Sequence, residues 1–345
     1  MKKIENRIGR IVEPEKVDFL GETVAEPEAN QVIIEIISSA ICGSDLHIFK
    51  GKHPSAPLPV TIGHEFSGRV IETGSKVNRV KNGDRVTVEP VIVCGKCRAC
   101  KRGNYGYCEN INFTYRNGDG AMANYITVDQ DNVYLLPQWL SYDSGALIEP
   151  LAVAVHAVRR ADIKMGEKVL VFGAGAIGLL TAALCRKRGS TEVVVVDYSR
   201  KRLELALELG ATEVINPDEE DVYEMINILT DGAGIDKSFE CVGLEITFNQ
   251  AIKTLKKNGL ATIVGIFEEE NINIPASRFI THEIKVQGSQ GYCWDFPVAL
   301  KMSKEIDLEK LITHSFKLDD LQQALETSLD SNSDAIKVIV KPSNI

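Results

Sequence analysis

The sequence predicts an α/β chain of two domains, one rich in β-strand and one built as a doubly wound parallel sheet. Three observations carry this reading. At 345 residues the length favours two domains, and 44% hydrophobic residues supply material for two buried cores. From about residue 30 to 135, short runs such as QVIIEII, GRVIETG, DRVTVEP and NVYLLP alternate with Gly, Asn and Asp turns, the texture of β-structure. After about residue 152, apolar strands alternate with amphipathic helices, which specifies a parallel sheet covered by helices on both faces.

The elements of the second half follow in order: strand EKVLVFG, helix AIGLLTAALCRKRG, strand EVVVVD, helix SRKRLELALELG and strand EVIN. Strand IDKSFECVG, helix LEITFNQAIKTLKKNG and strand LATIVGIF come next, and EIKVQG at 283–288 is expected as a sixth strand. The tail returns to mixed structure, with LDDLQQALETSLD as a helix and AIKVIVK as a closing strand. There is no internal repeat and no low-complexity segment.

The first strand of the second half ends in GAGAIG, which places Gly173, Gly175 and Gly178 as G-x-G-x-x-G at the start of a helix. Alone the motif is weak, but here it follows a strand, and Asp197 ends the next strand, EVVVVD. The glycines let a pyrophosphate approach the helix N-terminus, and the carboxylate accepts hydrogen bonds from a ribose. The expected cofactor is NAD, because Asp197 repels a 2′-phosphate. Arg200, Lys201 and Arg202 oppose this, since a basic group nearby accepts such a phosphate; their alternative is a solvated first helical turn. An acid at a helix N-terminus is the alternative for Asp197.

Eight cysteines are too few for a disulfide scaffold, so their clustering is the signal. Cys94, Cys97, Cys100 and Cys108 read C-x2-C-x2-C-x7-C, short enough to bring four thiolates to one tetrahedral ion. Zinc is expected, because the usual ferredoxin run has a different last spacing. Lys96, Arg98, Lys101 and Arg102 stand where they could offset the negative charge, or simply face solvent. Four protein ligands leave no open position, so this zinc holds a loop together and any working metal lies elsewhere.

A formal net charge of -9 gives no attraction to phosphate polymers or anionic lipid, so neither nucleic acid nor a membrane surface is an expected partner. No run of about 18 apolar residues occurs, and a cytoplasmic location is expected. A zinc-ribbon nucleic-acid binder would share the four cysteines, but the acidic balance and the glycine motif argue against it.

Two further stretches carry chemistry: ICGSDLH, with Cys42, Ser44, Asp45 and His47, and IGHEFSG, with His64 and Glu65. Singly, Cys42 and His64 read as core residues. Together with Glu149 in LIEPLAVAVHAVRRA, the four-cysteine lobe and GAGAIG, all in this order, the sequence resembles the zinc-dependent medium-chain dehydrogenase/reductase family over essentially its whole length. Its resemblance is to the sorbitol/polyol and butanediol dehydrogenase branch. The resemblance implies a GroES-like catalytic domain from 1–152 and 289–345, completed around an inserted Rossmann NAD-binding domain at 153–288. It implies two zincs per chain, the catalytic one on Cys42 and His64 with Glu149 or Glu65. Asp45 then orients the metal-bound histidine, and Ser44 and His47 form a proton relay.

The implied reaction passes a hydride from a secondary alcohol of a polyol or vicinal diol to NAD, in a homotetramer or homodimer. L-threonine and sugar phosphates are alternative substrates within the family, and a zinc-lacking quinone or enone reductase would not carry the Cys42, His64 and Glu149 set. Sorbitol dehydrogenases have an arginine before the tyrosine of SQGYCWDFP, where this chain has Gly291, so long polyols are less expected. Position along the fold places Val242, Gly265 to Phe267 and Ser289 in the nicotinamide pocket. His156 reads as a helix or core residue.

Overall fold

The computed structural model describes residues 4–53, 56–114 and 120–343. The chain divides into two compact units, Met1–Glu149 with Leu308–Ile345, and Pro150–Asp307. The first break lies close to the expected 152/153. The second falls at 307/308, later than the expected 288/289. One reason is that Asp295, fully buried, bonds His156 and Arg159, so its segment stays with the second unit.

In the first unit, β1 (Glu5–Glu13) and β2 (Lys16–Thr23) form an antiparallel ribbon. The strand β3 (Gln31–Ala40) leads through Cys42 into α1 (Gly43–Phe49), and the chain returns as β4 (Glu65–Thr73) and β5 (Arg85–Val88). A small lobe follows, bounded by β6 (Val91–Ile92) and β7 (Asn112–Phe113), which pair, with α2 (Arg98–Lys101) between them. Then come β8 (Tyr125–Asp129), β9 (Val133–Leu135) and α3 (Tyr142–Ala146).

The helix α4 (Ile148–Ala161) carries the chain across the division, whose break lies in its first turn. In the second unit β10 (Lys168–Phe172), α5 (Ala176–Lys187), β11 (Glu192–Val196), α6 (Arg200–Glu208), β12 (Glu213–Ile215) and α7 (Val222–Leu229) alternate. They continue as β13 (Ile235–Glu240), α8 (Glu245–Lys253), β14 (Leu255–Ile263), α9 (Ser277–Thr281), β15 (Lys285–Gly288) and α10 (Phe296–Met302). The chain then rejoins the first unit as β16 (Ile312–Lys317), α11 (Leu321–Leu329) and β17 (Lys337–Lys341).

The sheet of the first unit runs β16-β17-β3-β4-β5-β9, with β8 also on β3. Its β3 residues Val32, Ile34 and Ile36 alternate inward and pack with Phe66, Val70, Val86 and Val88. Each such fully buried side chain contributes about 1.5–3 kcal/mol of transfer free energy. The sheet of the second unit runs β12-β11-β10-β13-β14-β15, all parallel, which is the doubly wound order in which the strand after the first crossover lies on one side and the fourth on the other. The Val-rich β11 is buried on both faces, as a covered parallel strand requires.

The expected helix LEITFNQAIKTLKKNG ends early, at Lys253, and LKKNG belongs to β14. Asn258 sits at φ 61, a backbone that no continuing helix tolerates, and its amide donates to His282 instead.

Candidate active site

Antiparallel pairing of β3 with β4 sets Ala40 opposite Glu65. That register brings Cys42, just past the end of β3, beside His64 and Glu65 at the start of β4. Their ligand atoms all lie within 4.8 Å of one another. Cys42 is extended (φ -97, ψ 156) and caps α1. Asp45, in the first turn of α1 and fully buried, accepts the amides of Cys42 at 3.0 Å and Gly63 at 3.3 Å, and lies 3.4 Å from His64 Nδ1. This turns Nε2 of His64 into the nitrogen available to coordinate.

Burial alone would raise the Asp45 pKa, but the His64 charge and the two amide donors outweigh it and hold the carboxyl below its ordinary range. Burial would lower that of His64, yet Asp45 and Cys42 together raise it well above the usual imidazole value. Acidic groups gathered around one imidazole give the cluster a negative character that suits a cation.

Sequence reasoning did not single out Lys337, the first residue of β17. Its Nζ donates to both carboxylate oxygens of Glu65, at 2.6 and 2.5 Å, and to Ile41 O at 3.2 Å, in a buried ion pair. A lysine in the apolar run AIKVIVK carries no local signal; only the pairing of β17 with β3 delivers it. Glu149, buried at the start of α4, is not in the Cys42–His64–Glu65 group; burial would lower the Lys337 pKa, but Glu65 and Cys42, with a smaller contribution from the charge of Glu149, raise it above its ordinary value. Ser44 and His47 are both half-buried on α1, three residues apart and so on one face.

The second cluster is Cys94, Cys97, Cys100 and Cys108, again within 4.8 Å. Sulfur separations of 3.5 Å (Cys94–Cys108) and 4.0 Å (Cys97–Cys108) bracket the edge of about 3.8 Å that a tetrahedron with metal–sulfur bonds of about 2.3 Å requires. They are far too long for disulfides. Amides of Cys94, Cys97 and Asn110 donate to these sulfurs at 3.4 Å. Backbone donors from Lys96 and Cys97 lower the Cys94 pKa to about 6, whereas burial and the neighbouring thiols raise Cys100 to about 12. Four thiols this close cannot all ionise without a cation among them. Glu89, buried, accepts the hydroxyls of Tyr105 within the lobe and Tyr134 on β9, at 2.7 and 2.9 Å, tying the lobe to the sheet.

In the second unit the glycine turn follows β10. Gly173 has φ 94, and a Cβ on Gly178 would sit 1.8 Å from Gly173 O, so both are needed for helix α5 to close on the turn. A Cβ on Gly175 would meet nothing within 4 Å. That open face, at the N-terminus of α5, is the approach a pyrophosphate needs. Asp197 accepts Ala174 N at 2.7 Å and Ser199 N at 2.9 Å, so it stiffens the turn while keeping lone pairs for ribose hydroxyls. Arg200 pairs with Glu219 at 2.7 Å, and the Arg202 amide donates to Ser199 Oγ, the cap of α6.

Glu240 was not foreseen. Fully buried at the end of β13, it accepts Val242 N, Gly243 N and Thr247 Oγ1, each at 2.8 Å, and so shapes the turn expected to line the nicotinamide pocket. His156 is a helix residue, as expected, with Nδ1 2.7 Å from Asp295 Oδ2.

A β-rich unit presenting a Cys/His/Glu cluster and a four-thiol lobe, with a parallel dinucleotide-type unit in the same chain, defines an oxidoreductase of the zinc-dependent alcohol dehydrogenase class. Residues 28–138 match the family model of the alcohol dehydrogenase GroES-like domain, and 176–305 that of the zinc-binding dehydrogenase. Sorbitol dehydrogenase of Bacillus subtilis (strain 168) is 34% identical over 329 residues, 93% of each chain. The (R,R)-butanediol dehydrogenase of the same organism is 37% identical over 341 residues, 94% of this chain and 97% of that one. A structure from Sinorhizobium meliloti 1021, described as a zinc-binding dehydrogenase bound to NADP, superposes with a TM-score of 0.93 at 31% identity, covering 99% of this chain and 100% of that one. The chain belongs to the zinc-dependent medium-chain dehydrogenase/reductase family, in its polyol dehydrogenase branch. No helix among the described residues is long and apolar enough to cross a membrane.

Proposed function

We propose that the protein oxidises a secondary alcohol of a short or medium vicinal diol or polyol, with NAD as hydride acceptor and two zinc ions per chain. The observation that carries this reading is the convergence of Cys42, His64 and Glu65 with Asp45 bonded behind them. Bound there, zinc supplies Lewis-acid polarisation of the alcohol oxygen, and NAD accepts the hydride. Cys42 and His64 hold the metal, and Asp45 fixes the ring of His64. Ser44 and His47 carry the hydroxyl proton outward along one face of α1.

Glu149 is the favoured third ligand, on charge grounds. Lys337 already neutralises Glu65, so a thiolate and one further carboxylate are what a divalent ion needs. The four-thiol lobe holds the second, structural zinc. NAD is favoured because Asp197 stands at the ribose position and Arg200 is engaged by Glu219. Two relatives, acting on sorbitol and on butanediol, support an alcohol flanked by another hydroxyl. Gly291, at φ 53, leaves no charged side chain to hold the far end of a long polyol.

The test is a panel of ethanol, isopropanol, propanediol, butanediol, xylitol, sorbitol, threonine and sugar phosphates with the zinc-loaded enzyme, comparing kcat/KM with NAD and NADP. Vicinal diols and polyols are expected to exceed simple alcohols clearly. Simple alcohols winning would refute the diol reading, and a preference for NADP of about tenfold, about 1.4 kcal/mol, would refute the cofactor reading.

A further inference from the structure

The second unit has another polar cavity, at the end of its parallel sheet away from the glycine turn. That turn follows the last residue of β10, whereas the cavity lies against Gly234, just before β13, and the first residues of β14, strands that run in the same direction as β10. Its volume is about 650 Å³, within the range of about 300–1,000 Å³ usual for small-molecule sites.

Its lining is basic in a chain of net charge -9. Lys253 closes α8, Lys256 and Lys257 open β14, Arg278 lies in α9, His282 follows it, and Tyr223 of α7 forms part of the wall. Only Lys256 of these has an ion-pair partner among the described residues, Asp236. Arg278 donates through Nη2 to Leu255 O at 2.9 Å, but its Nε is buried with no hydrogen-bond partner. Desolvation first, and then the charges of Arg278 and Lys257, push the His282 imidazole below its ordinary range. Uncompensated cations converging on a concave space, with an orphaned guanidinium N–H among them, are a site built for anionic oxygens.

We propose that this pocket binds a small molecule carrying two or more phosphate groups, at a site separate from that of the dinucleotide. Several cations spread around one cavity match an extended, multiply charged anion better than a single small ion. The planar fork of Arg278 suits phosphate oxygens, and Lys253 and Lys257 add point charge. Cations grouped around one concavity, rather than spread along a stripe, favour a small molecule over a nucleic acid strand.

The experiment is calorimetric titration of inorganic tripolyphosphate into the full-length, zinc-loaded protein with NAD present at saturation, so that the glycine turn is already filled. One saturable site per chain is expected, weakening as salt is added. The double variant Lys253→Gln/Lys257→Gln removes exposed side chains, so its melting temperature and NAD affinity should be unchanged while tripolyphosphate binds about tenfold more weakly or worse. Arg278→Lys keeps the charge but loses the fork, and should also weaken binding. The proposal is overturned if NAD-saturated protein shows no saturable binding, if the double variant binds as tightly as the wild type, or if sulfate binds as well as tripolyphosphate.

Discussion

Asp45 and Lys337 are buried charges beside the Cys42–His64–Glu65 cluster, and each holds a different member of it. Asp45 accepts two backbone amides and faces His64, so it fixes both chain segments that present Cys42 and His64. Lys337 neutralises Glu65, and removing it would leave a buried carboxylate alone. Lys337→Met is therefore expected to cost about 3–5 kcal/mol in the zinc-free protein, read by urea denaturation. A loss below about 1 kcal/mol would show that Glu65 finds another partner. His47→Gln tests the relay: turnover should fall by about 10² to 10⁴ near neutral pH and less at high pH, where hydroxide takes the proton directly. An unchanged pH profile would leave His47 with a packing role alone.

Among the elements, the turn between β10 and α5 separates two functions of glycine. At Gly178 a Cβ meets backbone at 1.8 Å, so Gly178→Ala should destabilise the protein by about 1–3 kcal/mol or more. At Gly175 the φ of -72 suits any residue and the space is open. Gly175→Ala should thus keep the melting temperature of the wild type while weakening NAD binding about tenfold, measured by calorimetry. Equal NAD affinity in that variant would remove the pyrophosphate from this face of the turn. The motif was legible in the sequence because the turn and the helix that use it are contiguous. The early end of α8 was not legible, because TLKKNG has the composition of a helix end, and it is the amide of Asn258 bonding to His282 that commits it to β14.

At the scale of the molecule, both thiol-bearing clusters able to hold a metal among the described residues belong to the first unit, and the glycine turn to the second. Metal analysis is expected to find two zincs per chain. Stripping them with a chelator should abolish turnover and lower thermal stability while NAD still binds, seen by calorimetry. One zinc per chain, or loss of NAD binding on chelation, would contradict the division of labour. Cys97→Ser belongs to the same test and should lower stability while the Cys42–His64 cluster stays able to bind one zinc.

The sequence by itself determined the two textures of the chain, the four-cysteine lobe, the glycine turn with Asp197, and the short segments that present Cys42, Asp45 and His64. Each of these is encoded within a few consecutive residues, where spacing and backbone chemistry act directly. Tertiary structure alone decided which side chains meet. The register of β3 against β4 joins Cys42 to His64 and Glu65, and β17, arriving almost three hundred residues later, delivers Lys337 to Glu65. Glu240 and Asp295 likewise look like ordinary acids until burial makes every bond they accept count. A buried charge is defined by partners distant in sequence, and no local pattern records them.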